Sequence, residues 1–222
     1  MEVKLNKQLD KKVYLEFYDL RAEGVDFGGK IKKDQPGITI KNYPEYIDQF
    51  YKNNAKILKE SLDELNSCLI DNADSFFIEL EKTFGINFSQ NSYMGYLSIF
   101  DCNPRFVENQ TFQVFYKKDL LGKLEVVLHE IMHFAFFDYC DQFIKETRGL
   151  DKNDGPLWKL SEIFNIIMLN EPQYQKILKR PEQLFYPDLK SDLEYIEIVW
   201  DKTEKNINIF IKESLKYLNS TA

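Results

Sequence analysis

The sequence predicts an α+β fold that is mostly helical, with a small antiparallel sheet just before a long central helix. Two extended apolar runs, residues 93–100 and 111–116, are joined by a polar loop that contains Asn103-Pro104. Directly after them, an apolar stretch from about Leu120 to Phe143 has the length and composition of a buried helix. This order, two short strands and then a long helix, is the basis of the prediction.

The N-terminal segment predicts a small β unit within residues 1–42. Apolar residues alternate with more polar ones from Val13 to Tyr18, as in a strand with one buried face. Gly28-Gly29 and Pro36-Gly37, pairs typical of turns, then precede a second β-branched run at 38–40.

Helical spacing is predicted in the remaining segments. Apolar residues recur every three or four positions over 43–70, and a shorter helix over 74–84 is expected to stop at Gly85. A strongly apolar helix is predicted for 157–170, and a final amphipathic helix or pair of helices for 191–218. Because no internal repeat or long linker interrupts the chain, we expect a single domain over residues 1–222.

Composition argues against several functional classes. The net charge is −7, and the Lys-Lys pairs are scattered among acidic residues, so a nucleic-acid partner is not expected. No window approaches the roughly 18 apolar residues of a membrane span. Residues 1–8 contain no apolar stretch of the signal-peptide kind, and the three cysteines form no CxxC pair, so we expect a cytoplasmic protein.

Residues 129–133 read His-Glu-Ile-Met-His, the pattern HExxH. On a helix, His129 and His133 lie on one face about 5–6 Å apart, close enough for both imidazoles to bind one zinc ion. Glu130 lies about 100° round the helix, outside the ligand set but beside a water that the metal would hold, as suits a general base. The protein has two histidines and both belong to this motif, which strengthens the prediction.

A catalytic zinc needs a third protein ligand, and no third histidine exists. Glu162 is the best candidate, because its helical neighbours are Trp158, Ile166 and Leu169 and an unpaired carboxylate on so apolar a face is costly. Glu171 and Glu146 are weaker candidates. Cys102, which precedes the first histidine by 27 residues, stays open as a thiolate ligand.

Over residues 93–170 the sequence resembles the gluzincin class of zinc metallopeptidases, in which a second helix follows the HExxH helix and supplies a glutamate ligand. The resemblance implies a zincin-like domain with this metal-site core and a helical C-terminal part, 171–222. It implies that His129, His133 and Glu162 are ligands of Zn²⁺ and that Glu130 is the base. It also implies a peptide or protein substrate, held by edge pairing along the strand at 111–116.

Two departures from the class bear on individual residues. An Asp that often supports a ligand histidine is replaced by Ile166, so Asn165 or Glu125 is the expected substitute. No further histidine is present to stabilise the tetrahedral intermediate, which leaves a tyrosine, Tyr186 or Tyr195, as the expected residue.

The predicted function is therefore that of a zinc metallopeptidase, and three alternatives stay open. With Cys102 as third ligand the chain would look like peptide deformylase, although the glycine-rich signature of that family is absent. A catalytically silent, zincin-fold binding protein would hold zinc without turnover. In a purely helical structural protein the two histidines would be neighbours by accident.

Overall fold

The computed structural model describes residues 1–88 and 92–221. Its helices are α1 (Lys7–Phe17), α2 (Phe27–Asp34), α3 (Tyr43–Asn53), α4 (Ala55–Phe84), α5 (Leu120–Phe143), α6 (Gly155–Leu169), α7 (Pro172–Leu178), α8 (Lys190–Lys202) and α9 (Ile207–Thr221). Its strands are β1 (Glu2–Leu5), β2 (Arg21–Ala22), β3 (Val25–Asp26), β4 (Met94–Ser98), β5 (Arg105–Phe106) and β6 (Thr111–Phe115). The prediction of a mostly helical α+β protein is confirmed.

The chain divides into two compact units. The first comprises Met1–Asp74 and Ser92–Leu128 and contains all of the described strands. The second comprises Ser75–Asn91 and His129–Ala222, and therefore contains the HExxH residues together with α6 to α9. Helices α4 and α5 contribute residues to both units. In the described part of the chain, no helix is long and apolar enough to cross a membrane.

The main sheet of the first unit has four strands in the order β1-β4-β6-β5. Strands β1, β4 and β6 are parallel, and β5 alone pairs antiparallel with β6. The prediction of an antiparallel sheet before the HExxH helix is thus wrong. The 12 residues of 99–110, between β4 and β6, are enough for a crossover that returns the chain in the same direction, which a tight hairpin cannot do.

Strand β6 lies inside the sheet, with β4 on one side and β5 on the other. Two further donors of β6 are bonded to the residues just before β5. The N–H of Gln113 donates to the carbonyl of Pro104 at 2.9 Å, and the N–H of Phe115 donates to Oδ1 of Asn103 at 2.9 Å. Because these donors are already paired, the prediction that this strand holds a peptide by edge pairing is wrong.

The predicted β unit of residues 1–42 is also wrong for most of its length. Residues 7–17 form α1, in which Asp10, Val13 and Tyr14 share the buried face and the Asn6 side chain caps the first turn. The alternation is misleading here: the buried residues follow the three- and four-residue spacing of a helix, and Leu15, two residues after Val13 and on the opposite side of α1, is 44% exposed. The described strands here are β1 and the short hairpin β2-β3.

Several predicted helices are confirmed, with different bounds at some ends. Residues 74–84 are helical but do not form a separate helix, because α4 continues through them; the break lies instead at Asn54, between α3 and α4, inside the predicted stretch of 43–70. The final segment forms the pair α8 and α9. Helix α7 has no counterpart in the sequence prediction, because a proline usually indicates a break in helical structure. In the structure Pro172 is the first residue of α7, where the missing N–H of proline costs nothing.

Asp10 is a fully buried carboxylate in the first unit. Its Oδ1 accepts hydrogen bonds from Ser98 Oγ (2.6 Å) and Gln113 Nε2 (2.9 Å), and its Oδ2 accepts from Tyr51 OH (2.6 Å) and the N–H of Ile99 (3.2 Å). Burial raises the pKa of Asp10 from its usual 3.8 to about 6, although all four hydrogen bonds lower it.

Candidate metal centre

Helix α5 places the two histidines one turn apart with their ring nitrogens converging. The Nε2 atoms of His129 and His133 are 3.0 Å apart, and the two rings meet edge to face. The His133 side chain is completely buried, whereas 13% of the His129 side chain is exposed. The predicted pairing of the motif's histidines is therefore present in the structure.

Helix α6 brings Glu162 to the same point. The helix starts after Asp154, whose side chain accepts from the N–H of Gly155, and almost every residue from Leu157 onward is buried. Glu162 Oε2 lies 3.5 Å from His129 Nε2, and Oε1 lies 3.5 Å from His133 Nε2. One atom from each of the three predicted ligands thus falls in a group whose members all lie within 4.8 Å of one another.

These separations are compatible with donor atoms around one metal ion. Ligand atoms about 2.05 Å from a tetrahedral zinc are about 3.3 Å apart, whereas neighbouring ligands of an octahedral ion are about 3.0 Å apart. The two Nε2 atoms are 3.0 Å apart, and each lies 3.5 Å from a different oxygen of Glu162: His129 faces Oε2 and His133 faces Oε1. Donor atoms at such spacings can share one small metal ion, either tetrahedral or octahedral.

The electrostatics of the centre also favour a cation. Three carboxylates, Glu130, Glu162 and Glu182, are each at most 8% exposed. Burial lowers the pKa of His129, but hydrogen bonds to Glu162 and Glu182 and the charges of Glu182 and Glu130 together raise it well above 6.5. Buried carboxylates are stable as ions when a positive charge lies among them, and either a protonated His129 or a divalent cation between the imidazoles would supply that charge.

Glu130 is a buried carboxylate directly beside the first histidine, and its role as a base stays a prediction. It is 5% exposed and follows His129 directly, so its side chain leaves α5 about 100° from the ligand face. Its negative charge contributes to raising the pKa of His129, as a carboxylate near the imidazole must. The structure therefore keeps Glu130 beside the centre and outside the ligand group.

Glu182 is a residue of the centre that the sequence did not reveal. Its Oε1 lies 3.2 Å from His129 Nδ1, on the opposite side of the ring from the Nε2 that faces Glu162. It belongs to the irregular segment after α7, 53 residues beyond His129. No periodicity or motif distinguishes a glutamate in such a segment, so no sequence signal pointed to it.

Asn165 has a different role from the one expected. Its Nδ2 donates to the backbone carbonyl of His129 at 2.8 Å, so it fixes the main chain of α5 and not the imidazole. Asn165 lies on α6 one turn after Glu162 and is completely buried. Helix α6 therefore contacts His129 twice, at the imidazole through Glu162 and at the backbone through Asn165. Glu125 is half-buried and belongs to the first unit.

The structure places Tyr186 in the second unit, against Trp158. The two rings pack edge to face with centroids 5.1 Å apart, and Trp158 is one turn before Glu162 on α6. Tyr186 is half-buried, so its role in stabilising an intermediate stays a prediction. Tyr195 lies on α8, is 47% exposed and stacks on Tyr217.

The competing ligand candidates have other environments. Cys102 belongs to the first unit, where burial raises the pKa of its thiol and so disfavours the thiolate that binds metal. Glu171 accepts hydrogen bonds from Trp200 Nε1 and Lys205 Nζ, and Glu146 pairs with an exposed lysine. The described metal-compatible group contains none of the three.

Comparison of the chain with protein-family models, with curated proteins and with solved structures found no match.

Proposed function

We propose that this protein is a zinc-dependent hydrolase that cleaves peptide bonds. The observation that carries the proposal is the convergence of His129 Nε2, His133 Nε2 and the Glu162 carboxylate, whose two oxygens each lie 3.5 Å from one imidazole, at separations that allow all three residues to bind one ion. Two imidazoles and one carboxylate are a donor set of catalytic zinc sites, which leave one position for water or substrate.

The residues around the ion have distinct roles in this proposal. Bound zinc would lower the pKa of a water molecule to near neutrality and polarise the scissile carbonyl. Glu130 would accept the proton released from that water and deliver it to the leaving amine. Tyr186 is the proposed donor of a hydrogen bond to the oxygen of the tetrahedral intermediate.

The choice of peptide substrates rests on the order of elements. A helix carrying HExxH followed by a helix carrying the third ligand resembles the gluzincin peptidases, and α5 and α6 have this order. Substrate must be held by groups other than the edge of β6, since that edge is paired. A catalytically silent binding protein with the zincin fold would also bind zinc but would not cleave peptides.

We expect purified wild-type protein to contain about one zinc per chain and Glu162→Ala to lose it. Removing the carboxylate deletes a ligand, so affinity should fall by more than the roughly 100-fold that loss of an outer partner costs. Elemental analysis for zinc, iron and manganese after dialysis, followed by a competitive chelator titration, measures this.

Cys102→Ala is the matched control for that experiment. If Glu162 is the third ligand, this variant keeps the zinc content of the wild type, because Cys102 is a buried thiol outside the metal-compatible group. Loss of zinc in Cys102→Ala with retention in Glu162→Ala would replace our ligand set by the thiolate alternative. Wild-type protein without metal, even after reconstitution with zinc, would refute the proposed site.

A further inference from the structure

We propose that Glu182 is a positioning residue that fixes the tautomer and orientation of His129, so that Nε2 of this ring is the metal ligand. This inference rests on the metal site proposed above and adds to it a residue outside the ligand set. Glu182 acts through His129 and not on the ion itself.

The contact between the two side chains defines the tautomer. Glu182 Oε1 is 3.2 Å from His129 Nδ1, and the two side chains are only 7% and 13% exposed. An ionised carboxylate can only accept, so Nδ1 must carry the proton in this contact. The lone pair of a neutral His129 is then on Nε2, the atom that faces His133 Nε2 and Glu162.

The contact also limits rotation of the ring. His129 is the more exposed of the two histidines, and its ring can turn about the Cβ–Cγ bond unless a partner holds it. With Nδ1 bonded to Glu182 and the backbone carbonyl bonded to Asn165 Nδ2, both ends of the residue are fixed. A carboxylate on the far nitrogen also raises the basicity of the ligating one.

Glu182 is itself held in place by a two-point backbone contact. Asn170 Nδ2 donates to the carbonyl of Glu182 at 3.1 Å, and the N–H of Glu182 donates to Asn170 Oδ1 at 3.0 Å. Asn170 caps the C-terminus of α6, where its Nδ2 also donates to the carbonyl of Ile166. The helix that supplies the carboxylate ligand therefore also anchors the residue that orients His129.

The test is zinc affinity in Glu182→Ala and Glu182→Gln, measured by chelator competition. Loss of an outer partner of a ligand histidine typically costs 10- to 100-fold in affinity, and we expect a loss of about this size in Glu182→Ala. Glu182→Gln should lose less, because its amide oxygen still accepts from Nδ1 but carries no charge. The visible absorption bands of the Co²⁺-loaded protein should shift in both variants.

Glu171→Gln is the matched control. Glu171 is also a largely buried glutamate of the second unit with two hydrogen-bond donors, Trp200 and Lys205, but it does not contact a ligand. It should keep wild-type zinc affinity and the wild-type Co²⁺ spectrum even if its thermal midpoint falls. Asn170→Ala, which keeps the Glu182 carboxylate but releases its backbone, should give a smaller loss of affinity than Glu182→Ala.

The outcomes separate this inference from the proposed function. Wild-type affinity and an unchanged Co²⁺ spectrum in both Glu182 variants would overturn the positioning role while the metal site stands. Equal losses of affinity in Glu182→Gln and Glu171→Gln would also overturn it, because the effect would then be one of general stability. Wild-type protein that binds no zinc would instead remove the metal site, and the positioning role with it.

Discussion

We expect Glu130→Gln to lower the rate of peptide hydrolysis by about 10²–10⁴-fold while leaving the zinc content unchanged. Glutamine has nearly the same size and keeps the oxygen acceptor, but it cannot take a proton. Glu130 is outside the ligand group, so the ion should remain bound by the two histidines and Glu162. The effect should fall on kcat, since proton transfer and not substrate binding is lost.

A mixture of peptides can serve as the substrate for this measurement. The mixture is incubated with zinc-loaded wild-type protein and read by mass spectrometry, and one of the cleaved sequences is then used for kinetics. Glu130→Asp keeps the base but shortens it by one methylene, so it should retain more activity than Glu130→Gln. Glu171→Gln should hydrolyse the peptide at the wild-type rate.

Two results would contradict the assignment of Glu130 as the general base, each in a different way. A Glu130→Gln variant that hydrolyses as fast as wild type would show that another group accepts the proton. A wild-type protein that binds one zinc but cleaves nothing in the mixture would favour the silent binding protein, and Glu130 would then be a buried acid next to the ion without a catalytic role.

The cluster of His129, His133 and Glu162 could be predicted from sequence because each step depended on local geometry. His129 and His133 share a helix, so their spacing alone determines that they face the same way. Glu162 could be found because a carboxylate surrounded by apolar helical neighbours must have a buried partner. Helices α5 and α6 are long apolar segments, and for such segments the prediction from sequence is strongest.

Features that depend on contacts between segments distant in the sequence could not be predicted. Glu182 contacts His129 only because the irregular segment after α7 returns to α6, where Asn170 binds its backbone. The parallel direction of β4 and β6 depends on how the 99–110 segment crosses, and no residue pattern in it encodes that choice. Helix α1 was mistaken for a strand because an exposed apolar residue, Leu15, completes an alternating pattern in a segment too short for the helical spacing of its buried residues to stand out.

The second large effect concerns the stability of the first unit, where we expect Asp10→Ala to lower the free energy of unfolding by several kcal/mol, because each buried donor left unpaired costs about 1–3 kcal/mol. The substitution leaves four donors without their acceptor: Ser98 Oγ, Gln113 Nε2, Tyr51 OH and the N–H of Ile99. Urea unfolding at neutral pH, followed by circular dichroism, measures the loss, because both tryptophans lie in the second unit and would not report on the first.

Asp10→Asn separates the hydrogen bonds from the charge. The amide keeps one oxygen acceptor, and its NH₂ group can donate to Gln113 Oε1, a buried atom that makes no hydrogen bond within the described residues, once the Gln113 amide turns. This variant should therefore be less destabilised than Asp10→Ala. It also lacks the titration of the carboxylate, so it serves as the reference for pH dependence.

The pH dependence has a definite sign because the pKa of Asp10 is higher in the folded state, about 6, than its usual 3.8. The folded protein binds this proton more tightly than the unfolded chain, so the extra stability that comes from protonating Asp10 is full below about pH 4 and is lost as pH rises through about 6, whereas its hydrogen bonds remain. Between about pH 4 and pH 7.5, wild type should lose about 2–3 kcal/mol relative to Asp10→Asn. A constant difference between the two proteins across that range would mean that the four donors offset the burial of the charge, with the carboxylate ionised throughout.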